Sequence, residues 1–135
     1  DRSVSRGLGD VYKRQLEDKV YFAGKQENIR RYLSAMDVFL FPSVFEGVPF
    51  ALIEAQANGL TCVMSEAVSE EAVVFPERVR RLSLDRDNIQ WAAAVMAMSS
   101  MNREAADLIK KRLSDTHFNI ETEAKRLKDL YYHTR

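Results

Sequence analysis

The sequence has one cysteine, no excess of either charge and no apolar run long enough to cross a bilayer. Its 135 residues include 20 Lys and Arg against 20 Asp and Glu, so no basic field draws the chain to nucleic acid. Cys62 cannot form an internal disulfide, and its apolar neighbours predict a small core side chain in a reducing compartment. A transmembrane helix would need about 20 consecutive apolar residues, and the sequence has no such run.

These absences favour a single globular domain. Hydrophobic residues make up 46% of the chain and charged residues 30%, which suits one core but not two. The first ten residues are polar and have neither the charge order nor the apolar segment of a signal peptide. We therefore expect a soluble, cytoplasmic protein with no nucleic acid partner.

Short apolar runs alternate with helical patterns over the first two thirds of the chain. A helix capped by Asn28 is predicted near residues 28–36, because Ile29, Leu33 and Met36 recur at helical spacing. Continuously apolar strands that alternate with helices indicate a mostly parallel sheet covered on both faces. The predicted strands are "KVYFAG" at 19–24, "DVFLF" at 37–41, "TCVMS" at 61–65 and "RVRRLSL" at 78–84.

The last third of the chain predicts three helices with apolar stripes, the first capped by Asp87 or Asn88. Such stripes normally pack into a core rather than bind a cofactor. The fold class is therefore α/β: a Rossmann-like, mostly parallel sheet flanked by helices, with a C-terminal helical tail. The stripes consist of Trp91, Val95 and Met98, then Ala105, Ile109 and Leu113, then Ile120, Ala124, Leu127 and Tyr131.

Residues 1–15 do not share this pattern, and we predict that they form a non-native or disordered leader. "GLGDVY" only superficially suggests a phosphate loop, because the third glycine of the dinucleotide fingerprint would fall at Tyr12 and no strand precedes Gly7. The fold is therefore assigned to residues 16–135.

The stretch "FEGVPFALIEAQANGL" at 45–60 has only two charged side chains, Glu46 and Glu54. Pro49 suits the first helical position and Gly47 a bend before it, so Glu54 falls in the second turn of a helix. Gly59 is predicted to end this helix. Helical side chains lean towards the N-terminus, so the carboxylate of Glu54 should point back to the loop that carries Glu46. We expect this carboxylate to lie close to apolar surroundings, with no basic residue near it in sequence.

This arrangement predicts a cleft that binds phosphate and hydroxyl groups. The cleft would lie beyond the carboxyl ends of the strands at 19–24 and 37–41, where open α/β sheets bind ligands. A helix N-terminus offers free N–H groups to phosphate, and carboxylates accept hydrogen bonds from the vicinal hydroxyls of ribose or a hexose. Phosphate beside a diol indicates a nucleotide sugar.

The same residues resemble a known family. "VYFAG" followed by "YLSAMDVFLFPSVFEGVPFALIEAQANGLTCVMS" resembles the C-terminal, donor-binding half of retaining glycosyltransferases of the GT-B fold. The hallmark is a pair of glutamates in the setting "EG-x-P-x-x-x-x-E-A", here Glu46 and Glu54. The resemblance covers residues 16–87 closely and the helical tail more loosely.

The resemblance implies a role for each matching residue. Glu54 would bind the ribose hydroxyls of the donor nucleotide, and Glu46, the catalytic candidate, would face the donor sugar. Ser43 would orient Glu46 or cap the strand end. The residues implied to contact the sugar and diphosphate are Gly47, Val48 and Phe50, and those implied near the nucleobase are Gly24, Lys25 and Gln26.

The resemblance also implies a reaction and its partners. No metal or cofactor is needed, the donor is a nucleotide sugar, with UDP-sugar favoured, and the leaving phosphate helps the acceptor to attack the same face. The loop "EAVSEEAVVFPE" lacks the glycines found in many relatives, which favours the exopolysaccharide and capsule branch, with a polysaccharide or glycolipid acceptor.

The resemblance further implies that part of the enzyme is missing from this sequence. The acceptor-binding N-terminal domain and the family's diphosphate-binding Arg and Lys are absent, so we expect a fragment that is inactive alone. Its final helix would have leaned on that domain, so Tyr131 and Tyr132 should be exposed. Peripheral association of the full-length enzyme with the inner face of the membrane stays open.

Other classes also stay open. A GT-B-like sugar phosphorylase or a nucleotide-sugar epimerase would differ mainly in the absent half, and the fragment could also bind nothing. A non-enzymatic module such as a phospho-receiver fits less well, because it needs a carboxylate at the exit of a central strand and Asp37 is at the entry. His117 and His133 lie far from any cysteine or carboxylate cluster, so we predict surface or packing roles and no metal site.

Overall fold

The computed structural model describes residue 16 and residues 18–133, so the predicted leader lies outside the described residues. Two helices and three strands alternate first, and three more helices follow. In chain order these are α1 (Ile29–Ala35), β1 (Val38–Phe41), α2 (Phe50–Ala57), β2 (Thr61–Ser65), β3 (Val79–Leu82), α3 (Asn88–Ser99), α4 (Ala106–Ser114) and α5 (Ile120–His133). Two 3₁₀ turns, Glu70–Ala72 and Pro76–Arg78, lie between β2 and β3.

The three strands form a parallel sheet in the order β1, β2, β3. The register pairs Phe39 with Cys62 on one side of β2, and Cys62 with Val79 on the other. Every residue of β2 is buried, whereas β1 and β3 are only partly buried. A central parallel strand with both faces covered has to be apolar along its length, and this confirms the α/β class and three of the predicted strands.

The predicted strand at 19–24 is wrong, because none of these residues belongs to a strand. Tyr21 and Phe22 are 82% and 83% exposed. An apolar run becomes a strand only when its N–H and C=O groups pair with a neighbour. The described strands pair only as β1 with β2 and β2 with β3, which leaves this run without a ladder.

Helix α2 begins one residue later than predicted. Pro49 is its N-cap, with φ −73° and ψ 115°, and the carbonyl of Pro49 accepts the first helical hydrogen bond from Leu52 at 3.1 Å. The sequence predicts a bend at Gly47 before α2, and the chain bends there. Its φ is not positive and a Cβ there would meet no atom of the described residues within 4 Å, so the fold itself does not require glycine at this position.

The C-terminus of α2 is closed by Gly59, as the sequence predicts. Gly59 has φ +77°, its N–H donates to Gln56 O at 2.9 Å, and the N–H of Leu60 donates to Ala55 O at 3.1 Å. This pattern is a Schellman motif, which needs a left-handed residue at this position. A Cβ on residue 59 would also lie 2.7 Å from Glu104 O, so two independent constraints require glycine.

The sequence predicts N-caps at Asp87 and at Asn28, and only the first forms a capping hydrogen bond. The side chain of Asp87 accepts a hydrogen bond from the N–H of Gln90 at 2.8 Å, so the cap of α3 is confirmed. Asn28 occupies the N-cap position of α1, but its side chain makes no capping hydrogen bond. Its φ of −114° and ψ of 74° lie outside the extended conformation typical of a capping residue.

One apolar core fills the space between the sheet and the helices α1 and α2. Its members come from both helices, from β2 and from the connection after β2. Partly buried side chains of β1 and β3, including Phe39 and Val79, pack against it. The buried cluster consists of Leu33, Leu52, Ala55, Leu60, Cys62, Met64, Val68 and Ala72.

Gln56 is the polar exception in this core, and all of its polar atoms have partners. It is fully buried on α2, and its Nε2 donates to Leu52 O at 3.1 Å and to Ala72 O at 2.8 Å. Its Oε1 accepts from the N–H groups of Val74 at 2.8 Å and Phe75 at 3.1 Å. One side chain therefore fixes the irregular connection from β2 to β3 against α2.

A charged network covers the amino-terminal edge of the sheet. Arg78 is buried, and its Nη2 donates to Gly59 O at 2.9 Å and to Asn102 O at 3.0 Å. Glu104 lies 3.8 Å from Arg78 Nε and accepts two hydrogen bonds from Arg112. The network joins the entries of β2 and β3 to the segment before α4.

Arg112 also pairs with Glu77, just before β3. Burial acts to raise the pKa of Glu77, but the hydrogen bond from Arg112 and the positive charges of Arg112 and Arg78 outweigh it, so this pKa is lowered. Hydrogen bonds to Glu104 and Glu77 raise the pKa of Arg112. Glu77 is exposed, so solvent screens the pair and its contribution to stability is small.

The predicted core stripe holds for α3 and for part of α4. Trp91, Val95 and Met98 of α3 are partly buried, and Ile109 of α4 is buried. Ala105 is exposed and is the N-cap of α4. The prediction is wrong for α5, which has no buried residue and leaves Ile120 78% exposed, because an apolar stripe is buried only where another element covers it. The expected exposure of Tyr131 and Tyr132 is confirmed.

Replacing Gln56 with Ala should lower the free energy of unfolding by about 2–4 kcal/mol, because two buried N–H groups lose their acceptor and a cavity forms. Urea denaturation followed by circular dichroism measures this. Gln90→Ala on the exposed first turn of α3 is the matched control and should change it by less than about 0.5 kcal/mol. Similar losses in the two variants would contradict the role given to Gln56.

Cys62 should resist thiol reagents in the folded protein. Its side chain is fully buried, and desolvation raises the pKa of its thiol to about 12 despite the opposing charge of Arg78. Reaction with a disulfide reagent at pH 8 should therefore follow the urea unfolding curve. Rapid labelling without urea would mean that β2 is accessible.

Candidate functional site

Glu46 lies in the loop between β1 and α2, beyond the carboxyl end of β1. Its backbone forms a parallel bridge with Val68, so the pairing of β1 with β2 continues past the ends of both strands. The Ser43 hydroxyl lies 3.5 Å from Glu46 Oε1 and 3.4 Å from the carbonyl of Phe45, both long for hydrogen bonds. The backbone of Glu46 is therefore held by the sheet while its side chain is exposed.

Large apolar side chains around Glu46 are also exposed. Phe45 is 86% exposed and Phe50, the first residue of α2, is 78% exposed. Val44 and Val48 are exposed as well. The loop thus presents one carboxylate within an apolar rim, on the side of the sheet where the sequence predicts a ligand.

Glu54 lies in a groove between α1 and α2. Glu54, Ala57 and Asn58 line one side of this groove, which has a volume of about 460 Å³, and Ile29, Arg30, Leu33 and Ser34 line the other. Arg103, Glu104 and Ala106 close one end. The predicted apolar surroundings are confirmed only in part, because Ile29, Leu33 and Ala57 line the groove of Glu54. Glu54 is nevertheless exposed and shares the groove with Arg30 and Arg103, which the fold brings from distant parts of the sequence.

Arg103 joins the C-terminal ends of both helices that form the groove. Its Nη2 donates to Leu33 O at 2.9 Å and to Met36 O at 2.6 Å, at the end of α1. Its Nη1 donates to Asn58 O at 2.7 Å, at the end of α2. Because helix ends leave carbonyl groups unpaired, one guanidinium can cap both helices and set their separation.

Sequence reasoning missed Arg103. It lies in the short segment between α3 and α4, outside every periodic pattern. Apart from the side chain of Asn58, its partners are backbone carbonyls more than forty positions away. Backbone acceptors have no sequence signature, so no pattern in the chain could have identified this contact.

The predicted base-contacting turn at residues 24–26 lies two residues before α1. Gly24 has φ +63°, and the Gln26 side-chain amide donates to the carbonyl of Ala23. Lys25 is exposed. This turn leads into the first turn of α1, which lines the groove opposite Glu54.

Glu46 does not line that groove. That the carboxylates of Glu46 and Glu54 reach one cleft therefore stays a prediction.

The family profile described as glycosyl transferases group 1 matches residues 4–101, more than half of the chain. The chain belongs to this family. The parallel sheet flanked by helices agrees with membership, since it forms a Rossmann-like half of a GT-B-type glycosyltransferase. The resemblance to glycosyltransferases of the GT-B type is thereby confirmed. Retention of configuration and the assignment to the C-terminal, donor-binding half stay predictions.

Individual proteins that are similar to this chain support the same conclusion. The chain is 31% identical over 122 residues to a Bacillus subtilis (strain 168) protein named as a glycosyltransferase, EpsF, covering 90% of this chain and 32% of EpsF. It is 29% identical over 119 residues to the UDP-Gal:alpha-D-GlcNAc-diphosphoundecaprenol alpha-1,3-galactosyltransferase of Escherichia coli, covering 86% and 30%.

A third relative is the capsular polysaccharide biosynthesis glycosyltransferase CapH of Staphylococcus aureus, 26% identical over 125 residues, covering 92% of this chain and 34% of CapH. The chain therefore spans about a third of the length of these curated relatives. Within the part of the chain that the structure describes, every helix is too short or too polar to cross a bilayer.

Replacing Arg103 with Ala should lower the free energy of unfolding by about 1–2 kcal/mol, because the carbonyls that end α1 and α2 lose a charged donor. Chemical denaturation measures the change. Arg86→Ala, in the exposed loop between β3 and α3, is the control for loss of one surface arginine. If the two variants lose the same stability, Arg103 does not hold the helices together.

Proposed function

We propose that this chain is the donor-binding part of a glycosyltransferase. The enzyme transfers a sugar from a nucleotide sugar, with UDP-sugar the favoured donor, to a polysaccharide or lipid-linked acceptor with retention of configuration. The observation that carries the proposal is the course of α2, which starts beside the Glu46 loop and presents Glu54 to the groove facing α1.

The groove has the chemistry of a nucleoside diphosphate site. The carboxylate of Glu54 can accept hydrogen bonds from both ribose hydroxyls, and it is solvent-accessible. Arg30, on the first turn of α1, adds positive charge that favours an anionic ligand. Gly24, Lys25 and Gln26 lie shortly before this turn, which suits their assignment to the nucleobase.

The Glu46 loop has the chemistry of a donor sugar site. The side chain of Glu46 is exposed but its backbone is tied to Val68, so a carboxylate is held in a defined place facing solvent. Among the residues that the structure describes, no atom lies within 4 Å of a Cβ built on Gly47, so glycine there leaves room for a sugar or diphosphate close to the backbone. Val48 and Phe50 would complete these contacts.

The reaction that we propose needs no metal or cofactor. The bond between the anomeric carbon and the phosphate oxygen breaks, and the acceptor oxygen bonds to the same face of the sugar. The leaving phosphate takes the acceptor proton. Glu46, as the catalytic residue, stabilises the positive charge that develops on the sugar ring, and no side chain is assigned as a nucleophile.

The choice of donor and acceptor rests on the relatives. The Escherichia coli enzyme is named for UDP-Gal and a diphosphoundecaprenol-linked acceptor, and CapH is named for capsular polysaccharide biosynthesis. We extend these to a UDP-sugar donor and a surface polysaccharide or glycolipid acceptor. Catalysis would require the N-terminal acceptor-binding domain of a longer protein in the cytoplasm, at the inner face of the membrane.

Titration of the 135-residue chain with UDP should shift amide resonances of residues 46–54 and of the first turn of α1. Glu54→Ala should weaken binding by roughly tenfold or more, since charge-assisted hydrogen bonds to the ribose are lost. Glu121→Ala, an exposed glutamate on α5, should leave the affinity unchanged. ADP and GDP titrations measure the preference for the base.

Two results would contradict the proposal. If UDP shifts no resonance in the wild-type chain, the groove is not a nucleotide site. If the shifts persist in Glu54→Ala at wild-type affinity, nucleotide binds elsewhere and the ribose role is wrong.

A further inference from the structure

Arg81 of β3 reaches from its own strand to the segment that follows β2. Its Nη2 donates to the carbonyl of Glu66 at 3.1 Å and to that of Val68 at 3.2 Å. Its Nη1 forms a hydrogen-bonded ion pair with the carboxylate of Glu70. One guanidinium thus holds three acceptors within five consecutive residues.

That segment is also the partner of the Glu46 loop. Val68 is 1% exposed, belongs to the buried core, and forms the parallel bridge with Glu46. The N–H of Glu66 donates to Leu82 O at 2.9 Å, which continues the pairing of β2 with β3 beyond the strand. A chain of contacts therefore runs from Arg81 through Val68 to the backbone of Glu46.

We propose that Arg81 is a positioning residue for Glu46. It holds residues 66–70 at the carboxyl edge of the sheet, and these residues hold the loop that presents the Glu46 carboxylate. The inference rests on the proposed function, in which Glu46 faces the donor sugar. It adds a residue that acts on the site from the neighbouring strand without contacting the donor.

The chemistry of arginine suits this task. Beyond the ends of parallel strands the ladder is lost, so carbonyls of the segment need other donors. A guanidinium offers five N–H groups in a rigid fork and can serve two carbonyls and a carboxylate together, whereas the single ammonium of lysine is a point charge. Glu70 accepts from Nη1 and so keeps the fork directed along the segment.

Arg80 provides a matched control in the same strand. Adjacent strand residues point to opposite faces, and Arg80 lines a different groove, formed with Ala93, Ala94 and Ala97 of α3. Arg80→Met and Arg81→Met therefore remove the same charge from neighbouring positions. Only the second removes the donors that hold residues 66–70.

The first test is amide hydrogen exchange in the wild-type chain and both variants. In Arg81→Met, exchange at residues 44–48 and 66–70 should accelerate roughly tenfold or more relative to the β2 amides of residues 62–64, because a charged donor to two carbonyls is lost. Arg80→Met should match the wild type. A uniform acceleration that includes β2, or no change, would overturn the positioning role.

The second test is titration with UDP and with UDP-glucose. Arg81 does not line the groove of Glu54, so UDP affinity in Arg81→Met should stay within about twofold of wild type. The shifts that UDP-glucose causes at residues 46–48 should shrink. If those shifts equal the wild-type values, the positioning inference is wrong while the proposed function stands.

The two proposals can fail separately. If the wild-type chain binds neither UDP nor UDP-glucose, the proposed function fails, and the exchange experiment alone decides whether Arg81 holds the Glu46 loop. If circular dichroism shows that Arg81→Met does not fold, Arg81→Lys takes its place. It keeps the charge and should show a smaller but equally local acceleration, whereas exchange at the wild-type rate would overturn the inference.

Discussion

The burial of β2 between two parallel neighbours is the constraint on which the rest of the structure depends. A parallel strand covered on both faces can carry no exposed polar side chain, so chemistry is confined to the segments beyond the strand ends. Those segments lose the regular ladder, and their backbone groups must find other partners. The side-chain contacts of Arg78, Arg81, Arg103 and Gln56 lie in such segments.

Side chains fix the backbone at each of these places. At the amino-terminal edge of the sheet, Arg78 holds the entries of β2 and β3, and Arg103 holds the ends of α1 and α2. At the carboxyl edge of the sheet, Arg81 holds the segment directly after β2. Gln56 on α2 holds the rest of the connection from β2 to β3. The irregular connection is therefore held by side-chain hydrogen bonds, although it has no periodic pattern.

This arrangement explains how a small sheet can present a defined site. Glu54 is located by helix α2, whose two ends are fixed by Pro49 and by the Gly59 turn. Glu46 is located mainly by backbone pairing to Val68, and its carboxylate has one long contact with the Ser43 hydroxyl. The two carboxylates are thus held by different means, one by a helix and one by an extension of the sheet. Their proposed roles, on ribose and on sugar, are correspondingly separable by mutation.

The sequence by itself determined the local elements and the family. Apolar runs and helical spacing located β1, β2, β3 and the C-terminal helices, and Gly59 marked the end of α2. The setting of Glu46 and Glu54 indicated a glycosyltransferase. These signals are local, because they depend on spacing within one turn or one strand.

Only the tertiary structure decided what each element contacts. It left residues 19–24 without a strand partner and the stripe of α5 uncovered, and it brought Arg30 and Arg103 into the groove of Glu54. It also showed that Arg81 and Arg103 donate hydrogen bonds to backbone carbonyl groups. Strand pairing and the burial of an apolar stripe depend on residues that are distant in the chain. A backbone carbonyl is the same at every position, so the sequence cannot show which carbonyl a side chain will bond.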